Sequence, residues 1–285
     1  MRWSCFIKNQ PSMMPRVSPQ MMPRGTAPII LPLILLGMIL VFAPAGAGAA
    51  IYFENLGYQV FQADTIIPRA HLYDSEDYQS MLLLPGTGAP LLLELGTQSV
   101  YEIAPEDLDL SGEDPVLSNL ENGLFFCALI TEEGSIHIDS PVRSYRLSPL
   151  PQFLGPATLA EVLALKPAYA LDAREYLPDP DAIKMLKTVG EPVDIKVFFG
   201  TWCRLCKHLL PGFLRVMEEA GNPNFNVEFM GVDEDVMEPE TLLQRYSVSQ
   251  TPTIILLKNG SEIGRIEEAA VPNVEKELVA ILVKS

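Results

Sequence analysis

The hexapeptide Trp202-Cys203-Arg204-Leu205-Cys206-Lys207 constrains this chain more than any other stretch. Ahead of it runs Val193-Asp194-Ile195-Lys196-Val197-Phe198-Phe199, apolar enough on both faces to be a buried parallel strand. Behind it, Leu209 to Met217 reads as a helix, so the two cysteines sit at a strand-to-helix junction. Unpaired N–H groups and the positive end of the helix dipole stabilise an anion there. The position predicts a depressed pKa and a nucleophilic thiolate for Cys203. The two-residue spacing lets Cys206 close a disulfide ring with it.

The first fifty residues carry Arg2, Lys8, Arg16 and Arg24 and no acid. An apolar run from Ala27 to Ala43 follows, then Pro44 and Ala45-Gly46-Ala47-Gly48-Ala49-Ala50. A basic lead, an apolar segment and an A-x-A-like site describe a secretory signal, with Met13, Met14, Met21 and Met22 as alternative starts. The other reading is an uncleaved membrane anchor: the run approaches bilayer length, although Pro28 and Pro32 interrupt it. Both readings export residues 51–285, and the pattern suits a bacterial periplasm.

The chain carries −16, and the four cations of the lead leave −20 on residues 51–285. That balance argues against nucleic acid and anionic lipid as partners and is read as solubility. Cys5 lies in the lead, so the exported part holds Cys127, Cys203 and Cys206. An odd count is no disulfide framework. Cys127, inside the apolar Leu124–Ile130 run, reads as a small core hydrophobe.

The fold class expected is α/β: residues 1–50 signal or anchor, 51–145 a small β-rich domain, 146–169 a connector, and 170–285 a mixed sheet flanked by helices. In the β-rich part, strands are expected at Ser80–Leu84, Leu91–Leu95, Ser99–Ile103, Leu124–Ile130 and Ser135–Asp139, as a small barrel or sandwich. His71 and His137 read as isolated packing or surface residues, and Tyr73 to Tyr78 as a solvated acidic loop. The connector holds one helix, Thr158 to Leu165. Downstream, a short lead-in strand is expected near Ala168–Leu171, then a helix opened by Asp179 and Pro180. The Cys206 helix runs to Ala220, before Gly221. Strands at Asn226–Val232 and Thr253–Leu257 flank a helix at Pro239–Tyr246. An Asn259-Gly260 hairpin leads to Glu262–Ile266, and Val274–Val283 closes the chain as a helix.

With these elements placed, residues 170–285 resemble the thioredoxin superfamily, specifically its exported thioredoxin-like proteins. Trp202-Cys203-x-x-Cys206-Lys207 matches the active-site motif, and Pro211 matches the proline that bends the following helix. Thr251-Pro252-Thr253 matches the family's cis-proline segment facing the dithiol, and Leu257-Lys258-Asn259-Gly260 its hairpin. The resemblance implies thiol–disulfide exchange with protein thiol or disulfide substrates and a redox partner protein. It implies no cofactor beyond a redox-active Cys203–Cys206 disulfide. Cys203 is then the exposed nucleophile and Cys206 the deeper, resolving thiol. Trp202 shapes the substrate surface, Thr251 and Pro252 present backbone to an extended substrate, and Arg204 places a positive charge beside the thiolate. Two departures stand out. Val197 occupies the strand position where reducing members carry a buried acid, so that relay is absent or supplied from elsewhere. Arg204-Leu205 replaces the glycine-proline pair common in reducing thioredoxins.

Two other functions are carried alongside. Cys203, Cys206 and His208 could contribute three metal ligands, one short of a closed structural zinc site. Alternatively, the C-terminal part is a non-catalytic module that holds a partner through the β-rich domain.

Overall fold

The computed structural model describes residues 49–119, 123–267 and 273–284. The expected signal or anchor lies outside them, apart from Ala49 and Ala50. Among the described residues no helix is long and apolar enough to cross a membrane.

The N-terminal half is one twelve-stranded antiparallel arrangement. Its strands are β1 (Ala50–Glu54), β2 (Tyr58–Gln62), β3 (Thr65–Ile66), β4 (His71–Ser75), β5 (Ser80–Leu84), β6 (Leu91–Glu94), β7 (Ser99–Glu102), β8 (Leu108–Asp109), β9 (Val116–Leu117), β10 (Leu124–Glu132), β11 (Ser135–Asp139) and β12 (Ser144–Pro149). The sheet order is β3-β2-β12-β11-β10-β7-β6-β5-β4-β1-β9-β8. Most neighbours are consecutive hairpins, the connection that needs the shortest loops. The five expected strands are present, two of them with the expected bounds. The expected acidic loop is corrected: Tyr73, Asp74 and Ser75 belong to β4, paired with β1 and β5. Pairing on both sides satisfies that backbone, while Asp74 accepts from Asn55 Nδ2 at 2.8 Å. Its alternate residues fill two apolar clusters, one around Leu83, Leu91, Leu93, Val100 and Ile138, the other around Tyr52, Leu82, Leu92 and Ile103.

The C-terminal half holds a five-stranded mixed sheet in the order β13-β15-β14-β16-β17. Its strands are β13 (Gly155–Ala157), β14 (Val193–Phe199), β15 (Phe225–Gly231), β16 (Thr253–Lys258) and β17 (Ser261–Ile266). Six helices accompany it: α1 (Leu159–Leu165), α2 (Ala168–Glu175), α3 (Pro180–Lys187), α4 (Arg204–Ala220), α5 (Glu240–Tyr246) and α6 (Val274–Lys284). The lead-in strand expected at Ala168–Leu171 is instead the start of α2. The lead-in strand is β13, drawn from the connector and paired antiparallel with β15.

Local chemistry explains most of these elements. Thr158 and Glu161 form a reciprocal capping box at α1, and the Asp179 carboxylate accepts the Asp181 and Ala182 N–H groups at α3. Gly221 ends α4 in the left-handed conformation, and Asn259 and Gly260, both at positive φ, make the β16–β17 turn. The core between sheet and helices gathers Ile195, Val197, Phe199, Cys206, Leu210, Phe213, Ile254 and Leu256.

Candidate active site

Cys203 is the N-cap of α4. Its sulfur accepts the Cys206 N–H at 3.0 Å and lies 3.5 Å from the Thr251 carbonyl oxygen, to which the thiol can donate. The sequence expectation of an exposed Cys203 is corrected: the residue is 4% exposed, and Cys206 is fully buried. Both are free thiols, as is Cys127.

The two thiols differ in their electrostatics. Donation from the Cys206 thiol, helped by Thr251 and the Cys206 and Leu205 backbone, outweighs burial and brings Cys203 down to about 6. Burial first, then the neighbouring Cys203 sulfur, pushes Cys206 well above the usual thiol range. Such asymmetry is what a nucleophile and a reserve thiol require. The Thr251 hydroxyl oxygen is buried with no other hydrogen-bond partner, which leaves it available to the sulfurs. The Thr251-Pro252 peptide is cis, and Pro252 is buried beside Thr251. Trp202 is half-buried, its Nε1 donating to the Val232 carbonyl at 3.2 Å. The structure thus brings Trp202, Cys203, Cys206, Thr251 and Pro252 to one end of the mixed sheet.

Arg204 departs from expectation. Its guanidinium is engaged by Glu113 at 2.7 Å and Asp114 at 3.5 Å, both on the β8–β9 loop of the N-terminal sheet. Cys203 is therefore tuned chiefly by hydrogen bonds. Leu205 is 48% exposed, an apolar side chain beside the dithiol. His208 faces solvent. Val197 is fully buried in the cluster that holds Cys206, and Asp194 lies on the opposite parity, accepting from Asn226 Nδ2 at 3.0 Å. Among the described residues no group of three or more His, Cys, Asp or Glu is placed to hold a metal.

The N-terminal sheet supplies residues that sequence reasoning did not connect to the dithiol. Glu54, at the end of β1, pairs with Lys207 of α4 and lies 3.6 Å from His71 Nδ1 on β4. Burial would raise the Glu54 carboxyl, but hydrogen bonds from His71 and Lys207 hold it at about 2. Lys166, in the α1–α2 bend, lines a cavity of ≈ 130 Å³ with Cys203, Glu54, His71 and Lys207. No periodicity or motif marks these positions, since they meet only through long-range packing.

Residues 188–283 match the family model for thioredoxin. A thioredoxin of Echinococcus granulosus is 36% identical over 77 residues, covering 27% of this chain and 66% of the relative. Thioredoxin H9 of Arabidopsis thaliana is 32% identical, covering 30% of this chain and 56% of the relative. Thioredoxin-1 of Caenorhabditis elegans is 32% identical, covering 30% of this chain and 70% of the relative. The chain thus spans between about half and two thirds of the length of the first two, and residues 49–187 lie outside the family match.

Proposed function

The chain belongs to the thioredoxin superfamily, and from that premise we propose that Cys203 and Cys206 exchange disulfides with exported protein substrates. The observation that carries this reading is the unequal pair: a thiol brought to about 6 at a helix N-cap, three residues from a buried partner held protonated. The Cys203 thiolate attacks one sulfur of a substrate disulfide, forming a mixed disulfide and expelling the other sulfur as a thiolate. Cys206 then loses its proton and attacks Cys203. The Cys203–Cys206 bond forms, the second substrate sulfur leaves, and two electrons have passed from dithiol to substrate. Run backwards, the same steps donate a disulfide. In this reading Trp202 and Leu205 form the apolar contact surface, and the Thr251-Pro252 segment offers backbone to the substrate chain. Arg204 anchors the neighbouring sheet. A redox partner protein resets the pair. Export rests on the basic and apolar lead alone.

Trp202 is the only tryptophan in residues 51–285, so its fluorescence reports the dithiol directly. Titration through thiol redox buffers should give a two-electron transition. A midpoint at or below about −220 mV marks a reductant, and one near about −180 to −120 mV an oxidant or isomerase. Cys206→Ser should trap substrates as mixed disulfides. Failure of both experiments would remove the exchange reading.

The burial of Cys203 favours one alternative, a non-catalytic module that holds a partner through the N-terminal sheet. It requires that Cys203→Ser leave partner capture intact and that Cys206→Ser trap nothing.

A further inference from the structure

The cavity of ≈ 130 Å³ beside the dithiol is walled by β2, β4, the α1–α2 bend and α2, and Cys203 lines it. Many of its polar side chains are already committed. Glu54 holds Lys207 and lies against His71, and Arg69 is tied to Glu175. Tyr58 donates to the Gly134 carbonyl at 3.3 Å, Gln59 to the Leu165 carbonyl at 2.6 Å, and Thr201 to the Pro151 carbonyl at 3.4 Å.

Three lining side chains are not committed. Among the described residues no hydrogen bond or ion pair holds the Lys166 amine, the Asp172 carboxylate or the Tyr169 hydroxyl. Tyr169 is 2% exposed, and Lys166 and Asp172 are half-buried. Unpartnered polar groups away from water are costly, so three in one cavity mark a place where a ligand supplies the partners. The two charges are of opposite sign. An anion would answer Lys166 and oppose Asp172, and a cation the reverse, whereas a zwitterion answers both. A cavity of about 150 Å³ takes one benzene ring, so this one takes a single small amino acid and no peptide chain. A reacting sulfur in the wall selects an amino acid that itself carries sulfur.

We propose that this cavity is a subsite for one half of a low-molecular-weight amino-acid disulfide of the cystine class, its carboxylate on Lys166, its ammonium on Asp172 and its sulfur toward Cys203. The Tyr169 hydroxyl is free to donate to the same carboxylate. The inference rests on the exchange reaction proposed above and gives it a small-molecule substrate. The Cys203 thiolate attacks one cystine sulfur, the cystine S–S bond breaks, and one cysteine leaves as a thiolate. The other half stays in the cavity, bonded to Cys203. Cys206, once deprotonated, attacks Cys203; the Cys203–Cys206 bond forms and the second cysteine leaves as a thiolate. Two electrons pass from dithiol to cystine, and the two thiol protons end on the two cysteines by way of solvent.

The electrostatics of the empty cavity agree. Burial brings Lys166 down to about 8 and raises Asp172, so each group is pushed toward its neutral form. A bound zwitterion sets an opposite charge beside each and favours the ionised form of both.

The test is stopped-flow oxidation of the reduced full chain, followed by Trp202 fluorescence, with L-cystine and with the uncharged bis(hydroxyethyl) disulfide. Each rate is divided by that of the same disulfide with free dithiothreitol, which removes differences in leaving group. The native chain should prefer L-cystine by about 10-fold or more on this normalised scale. Lys166→Met and Asp172→Asn should each lower that preference by about 10-fold. Equal normalised rates in the native chain, or a preference that both variants retain, would overturn the subsite. If a variant does not fold, the native preference and the other variant decide. Loss of the preference while Cys206→Ser still traps proteins overturns the subsite alone. No oxidation by either disulfide, together with no trapped protein, overturns the exchange reading itself.

Discussion

The two sheets reach the same dithiol by opposite means. The C-terminal mixed sheet places Cys203 and Cys206 through a local device, a strand that stops at Phe199 and a helix that starts at Arg204. The N-terminal sheet places nothing catalytic by local sequence. It is a run of antiparallel hairpins whose strand ends and loops arrive at the site from far away: Glu54 lies 153 positions from Lys207. The comparison shows how a reactive motif can be read from adjacent residues while its surroundings cannot. A low-pKa thiol needs a helix N-terminus and neighbouring amides, which six residues supply. The charges that meet Arg204 and Lys207 require a second layer of structure.

The largest effect is expected at the dithiol itself. Cys203→Ser should abolish disulfide exchange while far-UV circular dichroism stays native, because the N-cap role passes to serine. Exchange that survives this change would place the chemistry elsewhere.

The acid limb of stability tests what the N-terminal sheet contributes. Glu54 is nearly buried and its folded value is about 2 against 4.5 in a free side chain. A depressed carboxyl stabilises the fold above its unfolded value, and that stability is lost as pH falls from 4.5 through about 2. Glu54→Gln should therefore cost about 2–3 kcal/mol at neutral pH in urea unfolding, and it should flatten the stability profile across that acid window. An unchanged profile would mean that Glu54 does not join the two sheets.

Gly231 on β15 tests the connector. A side chain there would meet the backbone of Phe153, which runs beside it just ahead of β13. Gly231→Ala should cost about 1–3 kcal/mol by displacing that segment, read as a lower urea midpoint with an unchanged slope.

The smallest effect is expected at Arg204. Its ion pairs with Glu113 and Asp114 are partly exposed, so Arg204→Leu should change stability by no more than about 1 kcal/mol. The pH midpoint for Cys203 alkylation should stay near 6, since hydrogen bonds set it. A clear upward shift would restore Arg204 as the group that stabilises the thiolate.

Legibility followed the range of the interactions. Pro211 within α4, the Asn259-Gly260 turn, the Asp179 cap and the CxxC junction were readable because each acts within a few residues. The β4 segment His71–Ser75 was not, because acidic residues argue for a loop until β1 and β5 pair with it on both sides. Ala168–Leu171 looked like a strand because a short apolar run has no decisive period; packing of α2 against α4 makes it helical. The burial of Cys203 was also out of reach, since the motif alone says nothing about what stands beside it.

By itself, then, the sequence determined a cysteine at a helix start, a second thiol three residues on, and the absence of an acid at Val197. Those follow from backbone geometry and side-chain chemistry over one strand and one turn of helix. Tertiary structure decided what that dithiol faces: a buried Cys203, Arg204 drawn to the β8–β9 loop, and Lys166 lining a cavity with Cys203. Charge and burial at a buried site depend on every element packed around it. Elements 40 to 150 residues apart in the chain meet only after both sheets have formed.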